Sequence, residues 1–224
     1  MDASSSTRPH MVVAVDGPSG SGKSSISKKS AEKMGLSFLD TGAMYRALTW
    51  FCLKNKLDDE GQIHPKLIKE YFDMWISIDP TVEKVVVNNE DITREIREDL
   101  VTTNVSKYAA MSKVREFLVK KQRELVELSG HRIVVEGRDI GSVVLPKADF
   151  KIYITASDEA RAKRRAVQTN ADEKLVLQAQ KIRDSLDTNR SVSPLVIPEN
   201  AVMLDNSNLD FDQSVDRFIQ IVSA

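Results

Sequence analysis

Eight consecutive residues, Gly17-Pro-Ser-Gly-Ser-Gly-Lys-Ser24, match the pattern G-x-x-x-x-G-K-[ST] at every position. The chemistry open to such a stretch is phosphate binding. Glycines let the backbone fold back so that several N–H groups point at one anion, and a helix opening there adds its positive end. Gly17, Ser19, Gly20, Ser21, Gly22, Lys23, Ser24 and Ser25 are therefore the expected cradle for a nucleoside triphosphate. Lys23 would reach the outer phosphates, and the Ser24 hydroxyl would ligate Mg²⁺. A Gly/Ser-rich turn holding a lysine by chance is the plain alternative.

Three more charged groups fit the same chemistry. Glu136-Gly137-Arg138-Asp139 follows the apolar run Ile133-Val134-Val135 directly. An acid after a buried strand suits Mg²⁺ or its bound waters beside a nucleotide, so Glu136 joins Ser24 as a candidate metal ligand. Arg138 would clamp phosphate, and Asp139 would accept a hydrogen bond from the amino group of a base. Without a ligand, these residues read as an ion pair closing the sheet edge. Thr41 and Arg46 stand one helical turn apart, where a planar guanidinium fork could hold a second phosphate; an unengaged surface arginine is the other reading. Guanidinium groups then recur at Arg161, Arg164, Arg165, Arg183 and Arg190. Helix, polar turn and helix with this load suit a mobile lid, about 161–190, over several phosphates. Exposed arginines paired with Asp158, Glu159, Glu173 and Asp184 are the alternative.

These residues need elements to position them. Val12 to Val15 reads as a buried strand and Ser25 to Met34 as part of the helix after the loop. Gly35 reads as a helix stop, Leu36 to Leu39 as a short strand, and about Met44 to Lys54 as a helix. That alternation predicts a parallel, three-layer α/β domain, whose ligands bind beyond the carboxyl ends of the strands. From residue 57 to about 100 the alternation stops. A short helix at Pro65–Tyr71 and β-rich pieces at Met74–Ile78 and Val82–Val87 predict an inserted subdomain, able to close over a second substrate or passive. Residues 11–56 and 101–224 form the expected core. Val105 to Leu128 reads as one mostly helical stretch, Ala201 to Leu204 as a last strand, and Phe211 to Val222 as a closing helix.

Composition excludes several classes. The chain has 224 residues and a net charge of -1, which argues against long-range attraction to nucleic acid or anionic membrane. No aromatic residues interleave the C-terminal arginines as an RNA-binding face would require. No stretch approaches the ~18 apolar residues of a membrane span. One cysteine, Cys52, allows no internal disulfide and points to a reducing, cytoplasmic setting. Residues 1–10 lack an apolar signal core and read as a disordered or added tail, with Met11 the expected natural start.

Four stretches then carry a resemblance: residues 15–24, Leu-Asp-Thr-Gly-Ala-Met-Tyr-Arg at 39–46, Glu-Gly-Arg-Asp-Ile-Gly-Ser-Val-Val-Leu-Pro at 136–146, and Asp-Thr-Asn-Arg-Ser-Val-Ser-Pro-Leu at 187–195. From Met11 onward the chain resembles the bacterial cytidylate kinase family, the CMP/dCMP-specific branch of the nucleoside monophosphate kinases. The first stretch is shared by many NTPases, whereas the second and third together belong to this branch. The resemblance implies a P-loop fold with a five-stranded parallel sheet, a monophosphate-binding insert at 57–100 and a helical lid. It implies ATP with Mg²⁺ as phosphoryl donor and CMP or dCMP as acceptor. Ser106, Arg115 and Asp139 would read the cytosine; Thr41, Arg46, Arg138 and Arg190 would hold the CMP phosphate; Asp187 would take the ribose hydroxyls. Arg161 and Arg183 would join Lys23 and Arg138 at the phosphates in transit. Where family members often carry arginines flanking that aspartate, this chain has Leu186 and Thr188, and relatives commonly have Asp where it has Glu136. A monomer is expected. The rival readings are a P-loop kinase for another small acceptor, such as AMP, UMP or shikimate, and a nucleotide-binding switch without transferase activity.

Overall fold

A computed structural model gives the structure of residues 10–58, 61–63 and 65–224. Residues 1–9 of the expected tail lie outside the described residues, as do Asp59, Glu60 and His64 of the expected polar turns.

Strand β1 (Met11–Asp16) is the middle of a five-stranded parallel sheet with β2 (Ser37–Asp40), β6 (Arg132–Glu136), β7 (Phe150–Thr155) and β8 (Val202–Asp205), in the order β2-β6-β1-β7-β8. Its side chains alternate between two cores. Val12 and Ala14 pack with Leu39, Met44, Leu48 and Leu118 on one face. Val13 and Val15 pack with Ile26, Ala31, Leu204 and Phe218 on the other. A strand covered on both faces needs apolar residues at every position, which is why β1 reads as an unbroken apolar run.

Helices cover both faces. On one lie α1 (Lys23–Met34) and α8 (Phe211–Val222); on the other lie α2 (Thr41–Lys54), α4 (Asp99–Ala109) and α5 (Ser112–Leu128). Local chemistry sets their ends. The Asp40 carboxylate accepts from the Ala43 N–H and starts α2 at Thr41, earlier than the Met44 expected from sequence. Gly35 takes the left-handed conformation that closes α1. Asp210 and Gln213 form a reciprocal capping box at the start of α8.

Between α2 and α4 the chain leaves the large sheet. Helix α3 (Pro65–Tyr71) precedes a three-stranded antiparallel sheet of β3 (Met74–Ile76), β4 (Val85–Val87) and β5 (Glu90–Asp91). The two β-rich pieces are shorter than expected because Asp79 draws the Thr81 N–H and hydroxyl into a tight turn between them. This sheet stays tied to the larger one, since the Phe38 N–H donates to the Ile78 carbonyl at 2.8 Å.

The mostly helical stretch expected over Val105–Leu128 consists of two helices, α4 and α5, joined through Ala110 and an extended Met111. The buried stripe does not mark the break. It runs Val101, Val105, Tyr108 on α4, through Met111, to Val114, Arg115, Leu118, Gln122 and Val126 on α5. Steps of three and four continue across the joint, so the pattern reads as one helical face although the backbone is extended at Met111. In the last third, α6 (Asp158–Thr169) and α7 (Glu173–Asn189) form a pair capped by Ser157 and Asp172.

Candidate active site

The loop after β1 turns sharply into α1. Gly22 caps the helix with a φ of 80°, a left-handed conformation that a side chain would strain. At Gly17 a Cβ would lie 2.0 Å from the Ile154 carbonyl oxygen, so the loop closes against β7 only with glycine there. Lys23 is the first residue of α1, and its Nζ donates to the Pro18 carbonyl at 2.9 Å. Burial, and next the Arg138 charge, push its ammonium down to about 7 against the pull of Glu136.

Register brings Glu136 to the same point. β6 pairs with β1 so that Glu136 stands beside Val15, where its carboxylate lies 3.5 Å from Lys23 Nζ and accepts from the Ser24 hydroxyl at 3.0 Å. Burial raises its pKa. The Thr41 hydroxyl donates to the Glu136 carbonyl at 2.7 Å, placing the start of α2 on the same rim. Arg138 Nε donates to Asp187 at 2.9 Å, and its Nη1 lies 3.9 Å from Glu136. Burial works against the Arg138 charge, but Asp187 and Glu136 outweigh it.

Several guanidinium groups crowd here with unused edges. Arg46 pairs with Asp40 at 3.0 Å, yet its Nε is buried without a hydrogen-bond partner. Arg183 Nε is likewise unpartnered, and burial, then Arg138, lower its pKa to about 10. Clustered guanidinium groups that leave donors unused form a cavity suited to an anion. A cleft of about 760 Å³ opens beside Ser24, Asp40 and Arg46, between α1 and the small sheet.

Deeper in, Arg115 on α5 and Asp139 form a buried ion pair, and Arg190 Nη2 approaches the other Asp139 oxygen at 3.4 Å. Arg115 also lies over the Tyr45 ring, 5.6 Å from its centroid. Ser106 is half-buried on α4, across the joint from Arg115.

The α6–α7 pair rests directly on the phosphate-type loop. Arg161 Nη1 donates to the Ser19 carbonyl at 2.6 Å and to Asp184 at 2.5 Å, while Nη2 donates to Asp158 at 2.6 Å. The Ser19 N–H donates to Asp184 at 3.0 Å. Arg164 is engaged with Asn206, whose amide holds the Ser21 carbonyl. Lys163 and Arg165 are exposed. Of the basic residues on α6, Arg161 alone is thus brought against the loop; it pairs with Asp158 and Asp184, but it is buried and not the exposed arginine of the alternative reading.

The structure gathers Lys23, Ser24, Thr41, Arg46, Glu136, Arg138, Arg183 and Asp187 on one rim, with Arg115, Asp139 and Arg190 forming its deeper end. Sequence reasoning passed over Asp16. Its two carboxylate oxygens accept from the Ile140 and Gly141 N–H groups at 2.7 and 2.8 Å, fixing the turn that carries Arg138 and Asp139. Burial raises its pKa to about 6. A π-type turn over Ile140–Val144 follows, and no local sequence signal announces it.

The model of the cytidylate kinase family matches residues 13–224. A cytidylate kinase of Rhodococcus opacus (strain B4) is 46% identical over 220 residues, covering 95% of each chain. One of Corynebacterium diphtheriae is 44% identical over 217 residues, covering 95% of this chain and 94% of its own. Among solved structures, an uncharacterised protein from Eubacterium ventriosum aligns with a TM-score of 0.50 at 15% identity, over 96% of this chain and 99% of that one, a likeness of fold alone.

Proposed function

The chain belongs to the cytidylate kinase family, and on that premise we propose that it transfers the γ-phosphoryl group of ATP to CMP or dCMP, giving ADP and CDP or dCDP. The observation that carries the residue assignments is the convergence of Arg46, Arg138 and Arg183, two of them with unpartnered buried Nε atoms, beside Lys23. The donor lies on the loop from Gly17 to Ser25, cradled by its N–H groups. The acceptor phosphate lies against Thr41, Arg46, Arg138 and Arg190, and its base against Ser106, Arg115 and Asp139. Asp187 takes the ribose hydroxyls.

An oxygen of the acceptor phosphate attacks the γ-phosphorus in line as the bond from that phosphorus to the β–γ bridging oxygen breaks, and ADP leaves. No covalent enzyme intermediate forms. No general base is needed, because the acceptor phosphate is largely ionised near neutral pH. Lys23, Arg138, Arg161 and Arg183 balance the charge spread over the phosphoryl group in transit. The Ser24 hydroxyl and Glu136 carboxylate, two hard oxygens in contact at 3.0 Å beside the phosphate site, fit Mg²⁺ and would hold it there. That ion would neutralise phosphate charge.

Helices α6 and α7 serve as the lid and residues 57–100 as the acceptor-side insert; both exclude water, which would otherwise waste ATP. All the proposed groups come from one chain, so a monomer is a complete unit. Among the described residues, no helix is long and apolar enough to cross a membrane, and the lone thiol fits a cytoplasmic setting. Initial rates with Mg²⁺ and ATP over CMP, dCMP, UMP and AMP test the reading. CMP and dCMP should be fastest; AMP outpacing CMP defeats it.

A further inference from the structure

We propose that Gln180, on α7, contacts the outer phosphates of the donor nucleotide through its side-chain amide, an inference that rests on the donor-site reading above. Gln180 is 6% exposed, and neither its Nε2 nor its Oε1 has a hydrogen-bond partner. A leucine of similar size would fill this space without stranding two polar atoms, so the amide is costly unless a ligand completes it. Its position names the ligand. A Cβ built on Gly20 would stand 2.4 Å from Gln180 Nε2, so the amide lies directly on the backbone midway along the phosphate-binding loop.

The amide is also held there. Asp184, one helical turn further along α7, accepts from the Ser19 N–H at 3.0 Å. Arg161 ties the Ser19 carbonyl to the same carboxylate at 2.6 and 2.5 Å. Two contacts with the residue before Gly20 fix this stretch of α7 over the loop, so the amide cannot swing out to water while they last. What the loop N–H groups gather is anionic oxygen. An amide N–H beside Gly20 supplies one more donor to such oxygens, from a side chain rather than from the backbone. Charge comes from Lys23 and Arg183; direction comes from Gln180, because an amide N–H prefers a near-linear bond.

Calorimetric titration of the full-length protein with Mg²⁺ and ATP, and separately with CMP, tests this on Gln180→Leu and Gln180→Met. The loss of a hydrogen bond to a charged group predicts ATP binding about tenfold weaker in both. CMP affinity should stay within about twofold, and the unliganded Tm should be unchanged or higher, since a stranded amide has gone. Gln180→Met, which keeps the length and loses the donor, decides the matter if Gln180→Leu does not fold. An ATP affinity lowered by less than about threefold overturns the proposal. An equal loss for ATP and CMP also overturns it, because that reports a disturbed fold rather than a lost contact. Should the wild-type protein transfer nothing to CMP, the acceptor reading fails by itself, and the ATP titration still decides Gln180.

Discussion

At Lys23 two requirements oppose each other. Burial disfavours the ammonium, yet the phosphates it is proposed to hold need its charge. With a folded pKa of about 7 against an ordinary 10.5, the folded protein holds fewer protons than the unfolded chain between those values. Stability of the ligand-free protein therefore rises with pH across that window. Anionic phosphate arriving beside Lys23 restores its charge, so binding of Mg²⁺ and ATP at pH 8 should take up protons, with less uptake at pH 6. Calorimetric enthalpies in buffers of different ionisation heat read this directly, and no uptake at pH 8 contradicts the placement of Lys23. Residues adjacent in sequence were legible at this scale: Gly17 to Ser24, and Glu136 to Asp139, each carry their chemistry in one short run. Asp16 was not, because its partners lie 124 and 125 positions further on. Gln180 was missed for the same reason, since it gains meaning only where α7 folds back over Gly20. Ser106 and Arg115 came from resemblance alone; among the charges of their helices no local pattern marks them.

At the scale of elements, the contact of α6–α7 with the loop depends on few groups. Asp184 accepts from both the Ser19 N–H and Arg161, so Asp184→Ala leaves one buried donor and one buried cation partly unpaired. Hydrogen exchange along α7 should rise by roughly tenfold or more, with β1 and β6 unchanged. Unchanged protection of α7 would show that other contacts hold the pair down. Sequence placed α8 and α3 at their observed spans, but α2, capped by Asp40, starts at Thr41 rather than Met44. Boundaries set by distant packing were less legible. The turn after β6 is drawn into shape by Asp16, and the α4–α5 joint falls inside a buried stripe whose spacing continues across it, with no glycine or proline to mark the break. The small sheet was foreseen as a departure from the α/β alternation, but its third strand, Glu90–Asp91, is too short to carry a pattern.

Across the whole molecule, β6 and β1 sit side by side near the centre of the sheet, and the loops that follow them carry the proposed acceptor and donor groups. The apolar run of β1 and the strand–helix order made a parallel α/β architecture legible in the sequence, while its five strands followed from the family resemblance. Cys52 reports on its integrity. It is 1% exposed, and burial pushes its thiol up to about 12. A thiol reagent at pH 8 should find no fast-reacting group in the folded protein and one after denaturation; rapid labelling of the folded protein would reveal opening of the α2 face. The joint at Ala110–Met111 has a mechanical consequence. One proposed base contact, Ser106, belongs to α4, which packs on α2, while Arg115 belongs to α5, which packs on α3 and on the turn after β6. A pyrimidine gripped by both becomes a splint across a knee. Analogues too short to bridge the two sides could occupy the pocket and still leave the knee loose, so tight binding and productive stiffening would part company.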